Sequence, residues 1–166
     1  MSEALACFAT CDLNDAYPEK VTFVQLPFRD FARKRRFSGR IRTAVMVDDT
    51  KLVQKALFSQ PGNGAIIVLD GGGSNRTALL GDRMAERLIQ NDWAGIIVNG
   101  AVRDSHLLAD LEIGVKALGT SPVRSGKTGK GAIDVPVAFG GAFFEPGKCL
   151  YCDEDGVLVS DEPLQL

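Results

Sequence analysis

The chain has 166 residues, enough for one domain that buries roughly 70% of the surface its unfolded form exposes. Hydrophobic residues make up 45% and charged residues 24%, an ordinary globular balance that argues against long disorder. Lys plus Arg number 19 against 21 Asp plus Glu, a net charge of −2, whereas a protein built to grip phosphate backbones carries a basic excess; nucleic acid is therefore not expected as a direct partner.

No apolar run reaches the length of a membrane span, and Met1 to Ala9 carries Glu3 and lacks the basic start and apolar stretch of a secretion signal. The expected compartment is the cytoplasm, with reduced thiols and no membrane contact.

Residues 4–17 carry a partial apolar stripe (Leu5, Phe8, Leu13, Ala16) that predicts a first helix. Val21 to Leu26 predicts a short strand ending at Pro27, and the basic run Arg33 to Arg36 reads as solvated surface. Gly39 to Val47 predicts another strand, with Ile41, Thr43, Val45 and Val47 on one side. Asp48 and Asp49 can cap a helix through Lys51 to Phe58, which Pro61-Gly62-Asn63-Gly64 ends. Ala65 to Leu69 is a continuous apolar run, as in a strand covered on both faces. Asp70 to Ser74 predicts a turn, followed by a helical stretch interrupted at Gly81 and resumed from Asp82 to Asn91. Ala94 to Val98 predicts a second buried strand, and Asn99 to Asp104 a loop. These pieces make a βαβ unit: two parallel strands and a right-handed crossover. Gly114 to Leu118 adds a strand, Ser125 to Gly131 a Gly-rich loop, and Val135–Phe139, Lys148–Tyr151 and Val157–Ser160 three short strands separated by glycine turns. The expectation is a single α/β domain over residues 1–166, with a parallel βαβ core and short antiparallel C-terminal strands.

In such a unit the loops after both strands share one sheet edge with the N-terminus of the intervening helix, and ligands favour that crevice. Here it gathers Gly71 to Ser74, Gly81 to Met84 and Asn99 to Asp104. Free helix N–H groups favour an anion such as a carboxylate. Arg103 adds a planar fork matched to one, and Asp82 and Asp104 add hard oxygen ligands or proton acceptors. The plainer alternative leaves Arg103-Asp104 as a structural turn and Asp82 as a helix cap.

Other motifs are weaker. Val68 to Ser74 resembles the Gly-rich first motif of nucleotide-dependent methyltransferases, yet position 76 is Arg where G-x-G-x-x-G needs glycine, and the next strand ends at Asn99 rather than at an acid. Those glycines read better as close-packing positions. His106 is the only histidine and reads as incidental; its isolation removes a His-rich metal site and a hydrolytic triad. Cys149 and Cys152 stand three apart on a predicted strand and face opposite ways, so with Cys7 and Cys11 they do not suggest structural zinc.

Several segments occur together and in order: Thr10-x-Asp12-Leu13-x-Asp15-Ala16-Tyr17, Gly39-Arg40-Ile41-x-Thr43, Val68 to Ser74, Gly81-Asp82, and Gly100-Ala101-Val102-Arg103-Asp104. They continue with Asp110-Leu111-x-Ile113-Gly114-Val115-x-Ala117, Phe139-Gly140-Gly141, Pro146-Gly147 and Tyr151-x-Asp153-x-x-Gly156. Together, over nearly the whole chain, they resemble the RraA-like family. The resemblance implies an α/β sandwich resembling a swivelling phosphohistidine domain, usually a homotrimer with sites between subunits. One group of that family consists of divalent-metal-dependent class II aldolases that cleave 4-hydroxy-4-methyl-2-oxoglutarate or 4-carboxy-4-hydroxy-2-oxoadipate and decarboxylate oxaloacetate. The other consists of regulators that bind RNase E and inhibit RNA processing, and some members were once labelled demethylmenaquinone methyltransferases.

The aldolase signature of Asp, twenty residues, then Arg-Asp is intact as Asp82, Arg103 and Asp104. The resemblance implies that Asp104 ligates Mg²⁺ or Mn²⁺, with waters supplying most other positions. It implies that Arg103 binds the pyruvyl moiety of a 2-oxo acid, that the N–H groups of Gly81, Asp82, Arg83 and Met84 hold its carboxylate, and that Asp82 orients a water on the metal. Larger aldolases draw an acidic residue from a neighbouring subunit's longer C-terminal region, which has no mapped counterpart here. The length and the Asp161-Glu162-Pro163-Leu164 ending look closer to the regulators. The expected function is the aldolase, with the RNase E regulator as the alternative.

Overall fold

A computed structural model describes residues 7–165. In chain order the elements are α1 (Thr10–Ala16), β1 (Val21–Phe23), β2 (Arg29–Asp30), β3 (Phe37–Val45) and α2 (Lys51–Val53), which continues as a π-helical turn over Gln54–Phe58. There follow β4 (Ile66–Asp70), β5 (Ala78–Leu80), α3 (Asp82–Gln90), β6 (Gly95–Val102), α4 (Ser105–Leu108) and β7 (Gly114–Thr120). The chain closes with β8 (Ala132–Ile133), β9 (Val137–Phe139), β10 (Ala142–Phe144), β11 (Cys149–Cys152) and β12 (Val157–Ser160).

Ten strands form one mixed sheet in the order β1-β12-β11-β3-β4-β6-β7-β2, with β5 beside β6 and β8 beside β3. The pairs β3–β4, β4–β6 and β6–β7 are parallel, and β11, β12, β1 and β2 extend them antiparallel. The strand period of two divides the core between the two faces. Ile67 and Leu69 of β4, with Ile96 and Val98 of β6, face the layer formed by the π-helical turn and α3, where they meet Leu57, Phe58, Ala85 and Leu88. Ile66, Val68 and Ile97 face the other way, under the β9–β10 hairpin with Val137 and Phe144. A smaller cluster joins Leu13 of α1 to Tyr151 and Leu158.

Two glycines let the sheet accept a large ring. Gly95 and Gly114 lie side by side across β6 and β7, and a Cβ on either would stand 2.5 or 2.3 Å from the Phe37 ring. The same strand carries a buried cation, Lys116, whose Nζ lies 2.9 Å from Oδ1 of Asp30, its register partner on β2. This pair lies on the backbone ladder that joins the short edge strand to the sheet.

The βαβ core, the second buried strand and the C-terminal antiparallel strands match the sequence expectations. Several details differ, among them the bounds of β3 (Phe37–Val45 rather than Gly39–Val47) and the unexpected short strands β2, β8 and β10. The stretch before Gly81 is strand β5 rather than helix, because Ala78, Leu79 and Leu80 are all buried and Ala78 N–H donates to Val123 O at 2.9 Å. Three apolar residues carry no period that could separate the two forms. The loop expected from Asn99 is shorter, since β6 runs on to Val102 between β5 and β7. The first helix spans Thr10–Ala16, and residues 4–6 of the predicted stretch lie outside the described residues. The first strand ends at Phe23, three residues early. Cys149 and Cys152 do face opposite sides, one packing with Tyr151 and the other with Leu150. Among the described residues no helix is long and apolar enough to cross a membrane.

Candidate active site

Strands β5 and β6 run parallel, with Ala78 beside Ala101 and Leu80 beside Val102. The Arg103 N–H extends this ladder by one rung, donating to Leu80 O at 2.9 Å. The residues that follow the two strand ends are therefore neighbours: Gly81 on one side, Arg103 and Asp104 on the other. Asp104 adopts the left-handed conformation (φ 54°, ψ 39°), which Asp tolerates better than most residues with a side chain. It turns the chain into α4, and its carbonyl accepts the N–H groups of Leu107 and Leu108.

That turn brings the Asp104 carboxylate against Gly81. A Cβ at position 81 would stand 3.0 Å from Asp104 Oδ2 and 3.3 Å from Arg103 Cγ. Arg103 Nε lies 3.3 Å from the same oxygen, and the two side chains remain 29% and 31% exposed. Within the described residues this ion pair is the only polar contact either side chain makes. Glycine at 81 thus serves the close approach of these side chains rather than a special backbone conformation, since its φ of −129° suits any residue.

Helix α3 starts one residue later. Its first intrahelical bond runs from Ala85 N–H to Gly81 O at 3.0 Å, so the N–H groups of Asp82, Arg83 and Met84 precede it, and among the described residues no side chain caps the helix at Gly81. Three such donors at the positive end of a helix dipole form a seat for a carboxylate. Asp82 is half-buried, Arg83 is exposed, and the Met84 side chain packs against the helix-side core, so Met84 can serve that seat only through its backbone. The structure thus joins Gly81, Arg103 and Asp104 directly and Asp82 through the chain, while His106 is exposed on α4.

Among the described residues no group of three or more His, Cys, Asp or Glu side chains is placed to hold a metal ion. A complete protein cage for a metal is absent there. One or two carboxylates beside open space suit a hard cation such as Mg²⁺, which keeps waters and takes substrate oxygens. The carboxylate chemistry of Asp104 and Asp82 fits that group, and the missing Cβ of Gly81 leaves space for the Asp104 carboxylate.

The Gly-rich turn serves packing. Gly71 and Gly73 N–H both donate to Asn99 O at 3.0 Å, and Gly72 N–H donates to Asp70 Oδ1 at 2.9 Å. A Cβ on Gly71 would stand 2.4 Å from Leu79 Cδ1 and 2.9 Å from Asn99 O. With its donors spent on its own chain, this turn is no cradle for a nucleotide.

The sequence reading missed the residues that brace this edge. Asp49, 4% exposed, accepts the Thr128 N–H and hydroxyl at 2.6 Å each, Lys51 N–H at 3.0 Å and Gly129 N–H at 3.3 Å. Burial pushes its carboxyl up, but the hydrogen bonds from Thr128, Lys51 and Gly129 outweigh that and hold it at about 2. Asp48 accepts the Thr77 hydroxyl at 2.9 Å and pairs with Arg76; chiefly the Thr77 bond lowers its carboxyl below the usual range. Adjacent aspartates after a strand were the available signal, though they read only as helix caps.

A family model described as RraA-like, Aldolase/RraA, matches residues 10–159. An Aromatoleum aromaticum protein carrying the name "Putative 4-hydroxy-4-methyl-2-oxoglutarate aldolase" is 46% identical over 157 residues, covering 95% of this chain and 98% of its own. Among solved structures, one described as the S-adenosylmethionine:2-dimethylmenaquinone methyltransferase of Geobacillus kaustophilus superposes with a TM-score of 0.92 at 43% identity, covering 95% of this chain and 97% of that one. The RNA-processing inhibitor RraA from Thermus thermophilis superposes with a TM-score of 0.91 at 43% identity, covering 95% of each chain.

Proposed function

The chain belongs to the RraA-like family, and we propose that it is a divalent-metal-dependent aldolase that cleaves 4-hydroxy-4-methyl-2-oxoglutarate to two pyruvates and also decarboxylates oxaloacetate. The observation that carries this reading is the meeting of Gly81, Arg103 and Asp104 at the paired ends of β5 and β6, beside the uncapped start of α3.

Cleavage of the bond between C3 and C4 removes a proton from the C4 hydroxyl and leaves an electron pair that becomes the enolate of pyruvate. That charge must be stabilised where it develops. The Arg103 guanidinium holds the pyruvyl moiety and offsets the charge. The N–H groups of Gly81, Asp82, Arg83 and Met84 hold its carboxylate. Asp82 orients the water or hydroxide that takes the hydroxyl proton, and return of that proton to C3 of the enolate completes the pyruvate. Asp104 would hold a Mg²⁺ or Mn²⁺ ion, which would supply Lewis-acid stabilisation of the developing negative charge. Loss of carbon dioxide from oxaloacetate generates the same enolate, so one site serves both reactions.

The test is a coupled pyruvate assay with both substrates, with and without metal. Pyruvate release is expected with Mg²⁺ or Mn²⁺, lost with chelator and restored on adding metal. Turnover indifferent to chelator refutes the metal role, and no pyruvate from either substrate refutes the reading. Asp104→Ala is expected to lower turnover by about 10²-fold or more. The assembly proposed is a homotrimer with sites between subunits, which sedimentation checks.

The likeness to the RNA-processing inhibitor RraA supports a second reading, a regulator that binds RNase E. That role uses a surface rather than the ionised site. RNase E capture undisturbed by Asp104→Ala supports it, and no capture by the unmodified chain overturns it.

A further inference from the structure

Between the π-helical turn and α3 lies a cleft of about 430 Å³ that shares no residue with the site above. Among the described residues its walls carry Lys51, Lys55, Arg87 and Lys127 and no acidic side chain. None of these four cations is ion-paired among the described residues, whereas Arg33, Arg42, Arg76 and Lys148 each pair with a carboxylate. The four come from separate places: α2, the π-helical turn, α3 and the Gly-rich loop. Like charges gathered around one concavity repel one another and focus a positive field into it.

The walls are held rather than loose. Asp49 accepts the Lys51 N–H at 3.0 Å and the N–H and hydroxyl of Thr128, the neighbour of Lys127, at 2.6 Å each. One buried carboxylate thereby fixes the backbone beneath two of the cations. Fixing the walls before binding lowers the ordering cost of a ligand.

We propose that this cleft binds a triphosphate chain, free or carried by a nucleoside. A triphosphate bears roughly four negative charges near neutral pH, one for each cation. Arg87 presents a planar fork to phosphate oxygens, and the lysines supply point charges. The volume falls within the range of small-molecule sites. A dicarboxylate such as the proposed aldol substrate leaves half of the cations unmatched, so this site stands apart from that chemistry and does not depend on it.

The chain carries its own reporter. Trp93, the only tryptophan, donates its indole N–H to Gln60 O at 3.0 Å, and Gln60 lines the cleft. Inorganic triphosphate, ATP and orthophosphate are titrated by calorimetry and Trp93 emission at about 0.1 M ionic strength, with EDTA present to keep metal off the phosphates. Saturable triphosphate binding is expected, with orthophosphate about tenfold weaker or worse. Equal affinities for ATP and triphosphate assign the site to the phosphate chain alone, and tighter ATP binding adds a nucleoside subsite. The double variant Lys55→Gln/Arg87→Gln is expected to lose about tenfold in affinity, while Arg33→Gln/Lys34→Gln, with the same charge removed elsewhere, binds as the unmodified chain does. Lys127→Gln alone gives a second variant that leaves both helical walls intact. No saturable binding by the unmodified chain, or equal losses in the two double variants, overturns the proposal.

Discussion

The Arg103 side chain offers the proposed site a shape as well as a charge. Arg103→Lys keeps the charge but loses the planar fork, so turnover is expected to fall by about 10²-fold, with urea unfolding nearly unchanged because the side chain is partly exposed. Gly81→Ala tests the neighbouring space. The new Cβ would meet Asp104 Oδ2 at 3.0 Å, forcing the carboxylate away by a few tenths of an ångström. Activity is expected to fall about tenfold in the pyruvate assay, again with little change in unfolding. Asp49 behaves differently, because its effect is on stability. Its carboxyl lies at about 2 in the folded chain against an ordinary value of 3.8. A lowered folded value means that its stabilisation is complete above the ordinary value and is lost as pH falls toward 2. Asp49→Ala, which orphans the N–H groups of Lys51 and Thr128, is expected to cost about 3 kcal/mol at neutral pH. Urea unfolding should show the gap between Asp49→Ala and the unmodified chain closing below pH 4.

The elements differ in how far the sequence alone reveals them. The runs Ala65 to Leu69 and Ala94 to Val98 announce buried strands, because covering both faces of a strand demands unbroken apolar residues. Helix α3 and the glycine-separated C-terminal strands are legible for similarly local reasons. Strand β5 is not. Ala-Leu-Leu favours helix by intrinsic propensity, and only pairing with Ala101 and Val102, distant in sequence, makes it a strand. The same limit applies to the site: the spacing of Asp82 and Arg103 can be counted, but the closeness of Gly81 to Asp104 depends on a ladder invisible in that count. Packing between elements makes a further prediction. Gly95→Ala places a methyl within 2.5 Å of the Phe37 ring and is expected to cost about 3 kcal/mol by overpacking. In a Phe37→Leu background the loss should shrink, which a double-mutant cycle of urea unfolding measures.

Over the whole molecule, the sheet divides the four thiols into two populations. Cys7 and Cys11 are exposed, and Cys149 and Cys152 are buried. Burial pushes the Cys149 and Cys152 thiols up, and the hydrogen bond to Asp155 raises Cys11. A colorimetric thiol titration of the folded chain should therefore find two reacting groups, with Cys11 the slower, and four only after denaturant. The register of β5 on β6 also reaches beyond this chain. Since the ladder itself measures out the gap between residues 81 and 104, the stretch linking the two strand ends works as a slack cable between fixed posts. One residue added inside β5 is expected to pull Gly81 away from Asp104. A protein designer wishing to transplant the Gly81, Arg103 and Asp104 set starts from two adjacent parallel strand ends and a helix that begins where one of them stops.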